Sequence, residues 1–530
     1  MRRHWQLPPD RFLYDRKGPW PQPSPAHPLL EAPEVLNVPA EEWTLWNATI
    51  GTRYLQTQLG QPPIAAAYAV ENLTYQGPSD EDFNRIMFET AYSRFQRHLN
   101  NEDRTTFSQV VELDASCDWI KYDFRAMELV EPLDGLYCAG TELLISISKD
   151  DGRRKVEAIS LKGTTSDETI YVIPSDPAWT MAKAFALQGA AYHMLFVVHP
   201  ALHFPMDSVN AVTKTSIPMT HPIFQMLYPH TQYSLALNNA VLEGEQSVVN
   251  NNAAGTWFDP LTGDGYNLKL LFGAGYAGYP KYGESYPKYD YLSPQMGEFK
   301  PGLTSPYLQA LEAYYKPFES FATVVAKRIL ENPVQASYAY NWARYLNSML
   351  KGFPQGHEVV KDADLLGKVM AIYMWDVSVS HAADHYSFGT QVAVRDKMLR
   401  IRIPAPTDRN APPPDPEKGE FIATADDLYR ASVCQQMFFL PFSIQPDLAH
   451  LAYPLLDPVS LGAYKEFNAS LHQVDTDLQK HCPHGQAGVC CFQPLVPRQS
   501  YPKPIGDPNY KRGPFDPTLE ELTLPATIQY

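Results

Sequence analysis

The chain has 530 residues and a formal net charge of −16, long enough to bury a large core and without global attraction for nucleic acid or anionic lipid. Aromatic residues at 12% and hydrophobic residues at 44% exclude a disordered chain, and six cysteines are too few for a disulfide scaffold of this length. The most apolar stretch, around Leu195 to Val198, is interrupted by histidines and falls short of the roughly 20 residues that span a bilayer.

These features predict a soluble, acidic, well-cored protein with no nucleic-acid partner and no transmembrane segment. Met1-Arg2-Arg3-His4-Trp5 is followed by Pro8 and Pro9 rather than by an apolar run, so a cytoplasmic location is expected. Oligomeric state is left open.

Residues 1–45 are rich in proline and read as an extended arm; residues 46–530 read as the body. From Glu81 to Leu99, apolar residues at Phe83, Ile86, Met87, Ala91 and Phe95 predict an amphipathic helix. Leu143 to Ile147, a turn at Asp151-Gly152 and Val156 to Leu161 predict a β-hairpin. A long helix is expected from Trp179 to about Leu202, and further helices at 306–331, 335–352, 361–388, 424–440 and 458–480. Residues 273–291, with their tyrosines and glycines, and the proline-rich residues 404–418 are expected to be loops. The expected fold class is mainly α: one large helical domain with a small β-hairpin or sheet portion near the N-terminus.

Two apparent motifs carry little. Gly273-Ala-Gly275-Tyr-Ala-Gly278 matches a dinucleotide fingerprint, but Tyr279, Pro280 and Lys281 follow where a helix must open. His481-Cys482-Pro-His484 with Cys490-Cys491 has zinc-capable residues, yet adjacent cysteines do not readily face one ion. A Gly-x-Ser-x-Gly elbow and a phosphate-binding loop are both missing from the sequence.

The chemistry concentrates in two His-x-x-x-His pairs, His199 with His203 and His381 with His385, each on a predicted apolar helix. A four-residue step puts both rings on one helical face. Two such helices brought together present four imidazoles to one point, a set that suits iron, manganese or zinc. A zinc protease needs Glu after the first histidine, where Pro200 and Ala382 stand.

With these pairs in place, the sequence from about Asp82 to Tyr530 resembles the lipoxygenases, specifically their helical catalytic domain without the N-terminal β-barrel. Leu143-Leu144 through Asp151-Gly152 to Ala158-Ile159 is similar to the family's strand hairpin, and Trp179-Thr-Met-Ala182-Lys183 to its Trp-x-x-Ala-Lys helix start. His221-Pro222-Ile223, Leu227, Pro229-His230 and Leu237-Asn238 follow in the family's order, then Ser380-His381-Ala382-Ala383. Leu524-Pro525-Ala-Thr-Ile528-Gln-Tyr530 is similar to the family ending.

The resemblance implies a non-haem metal dioxygenase that inserts O2 into a polyunsaturated fatty acid or related lipid to give a hydroperoxide. It implies one iron, with manganese as the alternative, held by His199, His203, His381, His385 and the Tyr530 carboxylate, with a metal-bound hydroxide as the base. Met194 or Leu195 stands where many members have a glutamine near the substrate, and Ala240 or Val241 near the residue that biases where oxygen adds. With Val198 they are expected to line the substrate and oxygen pocket. His193, His221 and His230 are expected to be hydrogen-bonded core residues.

Departures from the family are specific. Most members space the first two histidines five residues apart, where His199 and His203 are four apart as in some manganese-using fungal members. Counted forward from Trp179, His199 is the first ligand; counted back from His221, Val198 takes that place. Pro200 is expected to distort the helix here. Tyr530 replaces the usual terminal Ile or Val. Two alternatives follow: a metal oxidase or hydroperoxide isomerase on the same fold acting on another substrate, and a catalytically silent binding protein.

Overall fold

The computed structural model describes residues 77–231, 259–293, 305–439, 447–481 and 523–528, with short gaps inside these ranges and a few isolated positions outside them. The proline-rich arm (apart from Thr44), Ala240, Cys482 to Cys491 and Tyr530 lie outside the described residues.

Helix α1 (Asp80–Glu89) opens on Ser79, whose side chain accepts from Asp82 N, and buries Phe83, Ile86, Met87 and Phe88. It stops earlier than its apolar spacing predicts. Thr90 donates its hydroxyl to Ile86 O, takes an extended backbone and accepts from Tyr92 N, starting a 3-10 turn at Ala91–Phe95. That hydroxyl competes for the helix's own bonds and redirects the chain into strand β1.

β1 (Arg97–His98), β2 (Cys117–Asp123), β3 (Ala139–Ser148), β4 (Arg154–Gly163) and β5 (Ile170–Val172) form an antiparallel sheet in sequence order, with the short helix α2 (Asn101–Phe107) between β1 and β2. The predicted hairpin is β3–β4, with Leu143 opposite Ile159 and a register shift between Leu144 and Ile145. Alternation separates the faces: Leu143, Ile145 and Ile147 join the main core, whereas Leu144, Ala158 and Trp119 close a small cluster over Leu99 and Phe107.

The central element is longer than predicted. α3 (Trp179–His193) passes through a π-helical segment, π1 (Met194–Val198), into α4 (His199–Ser216). These run on as one 38-residue helix, long and apolar enough to cross a membrane by length and composition, but the apolar window is entirely buried inside the protein. The core therefore accounts for its hydropathy.

Around it stand α5 (Pro222–Leu227), α6 (Gly265–Ala277), α7 (Pro306–Leu330), α8 (Pro333–Asn347), α9 (Ala363–Trp375), α10 (His381–Tyr386), α11 (Ala425–Phe439) and α12 (Pro458–His481). A second π segment, π2 (Asp376–Ser380), joins α9 to α10. α7 packs between α9 and α12: Trp375 donates its indole N–H to Leu311 O, and Phe318 and Phe321 meet Phe467. Residues 273–277, expected in a loop, form the last turns of α6, which ends at Gly278 with φ +90°. Gly273 and Gly275 lie within the helix and Gly278 ends it, so none of them opens one, which disposes of the dinucleotide reading. The proline-rich loop expected at 404–418 contains only a 3-10 turn, Pro416–Lys418.

The Trp179…Lys183 pair gains a physical meaning. Trp179 Nε1 and Lys183 Nζ, one turn apart, both donate to Asp80 Oδ1 at 2.9 and 2.7 Å, and Lys183 also reaches Pro78 O at 2.9 Å. The start of the central helix is thereby tied to the start of α1. Lys183→Met removes both Lys183 bonds, and urea unfolding is expected to show a loss of about 1–2 kcal/mol.

Candidate metal centre

α4 and α10 each begin immediately after a π segment, and each carries a His-x-x-x-His pair from its first residue. A π turn widens the helix and shifts the phase of everything after it. In α4 a further cause is visible. Pro200 has no N–H and its ring crowds the carbonyl four residues back, Phe196 O, which lies in π1. The distortion expected at Pro200 is thus a widened turn, and the helix resumes regular geometry with His199 and His203 one above the other.

Met194, Leu195 and Val198 all lie in π1 and are buried, and Val241 is partly buried against the same core. Another helix, α6, comes close to π1. A Cβ on Gly275 of α6 would stand 2.7 Å from Val197 O and 3.0 Å from Val197 Cγ1. Only glycine lets α6 lie this near the backbone two residues before His199.

The structure brings His199, His203, His381 and His385 together: each offers a ring nitrogen, and these atoms all lie within 4.8 Å of one another. His203 Nε2 is 2.9 Å from His199 Nε2 and 2.8 Å from His381 Nε2. The forward count from Trp179 is the one this geometry follows, with Val198 preceding the cluster. All four rings are buried. Burial, reinforced for His199, His203 and His381 by the neighbouring rings, holds those three well below the ordinary histidine pKa; burial alone takes His385 to about 3. They are neutral imidazoles.

Their arrangement suits a cation. A ring nitrogen carries either a proton or a lone pair, so His203 Nε2 cannot satisfy both Nε2 neighbours with hydrogen bonds. Its single proton or lone pair is at best divided between the two. A cation shared by the lone pairs makes every approach favourable, and two nitrogens about 2.1 Å from one ion at right angles are about 3.0 Å apart. Among the described residues the cluster contains imidazoles alone, a donor set suited to a transition metal rather than to calcium or magnesium.

The other histidines do structural work. His193 Nδ1 bonds Gly189 O. His221 caps α5 by accepting from Ile223 N, and its Nε2 pairs with Gln335 O. His230 bridges Ala526 O and the Tyr453 hydroxyl, while Thr527 donates to His230 O. Residues 523–528, most of the family-like ending, are held inside the core this way.

One group of buried polar residues had escaped the sequence reading. Arg94, in the 3-10 turn after α1, pairs with Asp384 of α10 at 2.8 Å; both are buried. Tyr307 of α7 donates to the same Asp384 oxygen. Burial pushes the Asp384 carboxyl up to about 6, against the opposing pull of Arg94 and Tyr307, and holds Asp376 in π2 well above the carboxylate range. The available signal was a charged residue between two histidines on an apolar helix, which demands a buried partner.

No protein-family profile matches the chain. It is 28% identical over 161 residues to Seed linoleate 9S-lipoxygenase of Glycine max, a match covering 28% of this chain and 18% of that protein. Linoleate 9S-lipoxygenase 1 of Oryza sativa subsp. japonica is 21% identical over 393 residues, covering 66% of this chain and 44% of its own length. The matches therefore span less than half of these relatives. Similarity in three dimensions is much more extensive. A lipoxygenase crystal structure in complex with arachidonate superposes with a TM-score of 0.63 at 14% identity, covering 92% of this chain and 79% of that one. The manganese lipoxygenase of Gaeumannomyces graminis gives 0.61 at 12% identity, over 91% and 95%.

The fold is that of a lipoxygenase catalytic domain. Within that lipoxygenase fold, the two π-interrupted helices are the parts that converge on the histidine cluster.

Two outcomes are expected. Gly275→Ala drives a methyl group into Val197 O and should cost about 1–3 kcal/mol in chemical denaturation, with weaker retention of added manganese. Secondly, His193, His221 and His230 are lowered to about 4, chiefly by burial, against about 6.5 when unfolded. Below pH 6.5 the unfolded chain binds more protons than the folded one. Their contribution is fully present above that pH and is lost as pH falls towards 4, by up to about 1.4 kcal/mol per pH unit per group. Unfolding free energies measured between pH 8 and 4.5 check the sign.

Proposed function

We propose that the chain is a non-haem metal dioxygenase of the lipoxygenase type, acting on a polyunsaturated fatty acid or related lipid with O2 to give a hydroperoxide. The observation that carries this reading is the convergence of four buried, neutral imidazoles from two π-interrupted helices on a lipoxygenase fold. The likeness to two linoleate 9S-lipoxygenases and to a lipoxygenase in complex with arachidonate supports the lipid substrate.

In this proposal His199, His203, His381 and His385 hold the metal through ring nitrogens that burial keeps deprotonated. When bound, a redox-active ion supplies the one-electron step at a carbon flanked by two double bonds and makes oxygen addition possible. The protein's share is to present lone pairs without reorganisation and to keep water away. Met194, Leu195 and Val198 supply apolar surface on the turn before the first ligand. Val241 extends the proposed pocket.

Iron is the first assignment. Manganese is the second, favoured by the four-residue step between His199 and His203 and by the extent of the likeness to the manganese lipoxygenase.

Purified protein assayed for metal by plasma mass spectrometry is expected to hold near-stoichiometric iron or manganese and to consume oxygen with linoleate or arachidonate, forming conjugated dienes. The His381→Ala, His385→Ala double variant should lose both metal and oxygen uptake. Absence of metal from the wild type after growth with both ions supplied would overturn the proposal. Metal without oxygen uptake on any polyunsaturated lipid favours the oxidase or isomerase alternative.

A further inference from the structure

The 3-10 turn Ala91–Phe95 reaches across to the last residue of π2 and to α10 on to the residue after its end. Ala91 N donates to Ser387 Oγ at 2.9 Å, beyond the last histidine. Arg94 Nη2 donates to Ser380 O at 3.2 Å and to Ser380 Oγ at 2.8 Å, immediately before His381. Arg94 Nε lies 2.8 Å from Asp384 Oδ1 and 3.2 Å from the Tyr307 hydroxyl. The turn itself is anchored to α7, because Ser305 donates to Ser93 Oγ at 2.7 Å while its own hydroxyl caps Leu308 N.

These contacts are placed to control orientation. Ser380 and Asp384 are four residues apart, so one guanidinium grips two successive turns on one side of the helix that carries His381 and His385. The guanidinium is planar, with donors in a fixed fork. Held against both residues, it leaves α10 little freedom to rotate or slide. The Ser380 carbonyl lies at the change from π to α geometry, where a backbone acceptor is most in need of a partner.

We propose that Arg94 is a positioning residue of the metal centre: through Ser380 and Asp384 it sets the rotation and register of α10 and so aims His381 and His385 at the ion. The proposal rests on the metal-binding reading and adds to it a residue outside the ligand set. Outer-sphere groups of this kind typically change metal affinity by about 10–100-fold.

The test uses the full chain, stripped of metal with a chelator and titrated with Mn2+, followed by electron paramagnetic resonance. Free ion gives the affinity and the bound line shape reports ligand symmetry. Arg94→Met alone strands a buried carboxylate, so Arg94→Met with Asp384→Leu carries the test, since exchanging a buried ion pair for apolar side chains is often close to neutral for folding. Circular dichroism and the thermal midpoint of the metal-free protein monitor the fold.

The double variant is expected to keep its fold, bind Mn2+ about tenfold more weakly or worse, and show an altered line shape. Arg94→Lys, which keeps the charge beside Asp384 but loses the fork, is expected to fall between. A folded double variant with wild-type affinity and line shape overturns the proposal while leaving the metal reading intact. Wild-type protein that binds no Mn2+, Fe2+ or Co2+ overturns both. If the double variant does not fold, Arg94→Lys decides: unchanged affinity and line shape overturn the proposal, and a loss in both supports it.

Discussion

Four neutral imidazoles held against one another inside an apolar core are an arrangement that local forces oppose. Each ring forgoes water, and His203 Nε2 has at best one proton or lone pair to divide between two facing nitrogens. Something else must hold them, and the surrounding core does. Aliphatic and aromatic burial runs continuously from Phe83 to Ile528 around the cluster and is worth far more than the mismatch at its centre. A cation at the common point removes that mismatch, so metal binding and fold stability are linked through the same four rings.

The elements that bear on the rings are correspondingly over-determined. α3, π1 and α4 form one helix, tied at its start to α1 through Asp80 and met closely at Val197 of π1 by Gly275 of α6. On the other side, α9, π2 and α10 are tied by Trp375 to α7 and by Arg94 to the turn after α1. α1 and its following turn therefore touch both histidine-bearing helices, at Lys183 and at Ser380. A segment that contributes no ligand sets the relation between the two that do.

Much of this was legible in the sequence because it depends on spacing. The two His-x-x-x-His pairs, the β3–β4 hairpin with Asp151-Gly152 at its turn, and the helices from 306 onward follow periodicities that burial enforces. The π segments were not legible. A π turn adds one residue to a helical turn and leaves the apolar run unbroken, so Met194–Val198 reads as ordinary helix, and only Pro200 hints at a change. Gly273 and Gly275 misled for the opposite reason: glycine disfavours helix in isolation, yet both lie within α6, and at Gly275 close packing on Val197 requires it. Arg94 was hidden because its partner is nearly three hundred residues away, and no local pattern connects the two.

Charge gives the arrangement its last constraint. The four rings are neutral, so they themselves offset none of the charge of an ion bound there in a medium of low dielectric. The nearby Arg94 adds to that charge; its field already contributes to lowering the His199 and His381 pKa values, behind burial and the neighbouring rings. Asp384 lies between His381 and His385 and cancels Arg94 at 2.8 Å. Arg94 can orient α10 without repelling a cation only while Asp384 neutralises it, and burial of Asp384 is tolerated only while Arg94 and Tyr307 pair with its Oδ1. The two residues therefore stand or fall as a pair. Losing Asp384 alone would leave a buried, uncompensated guanidinium on the helix that carries His381 and His385, a worse outcome for cation binding than losing both.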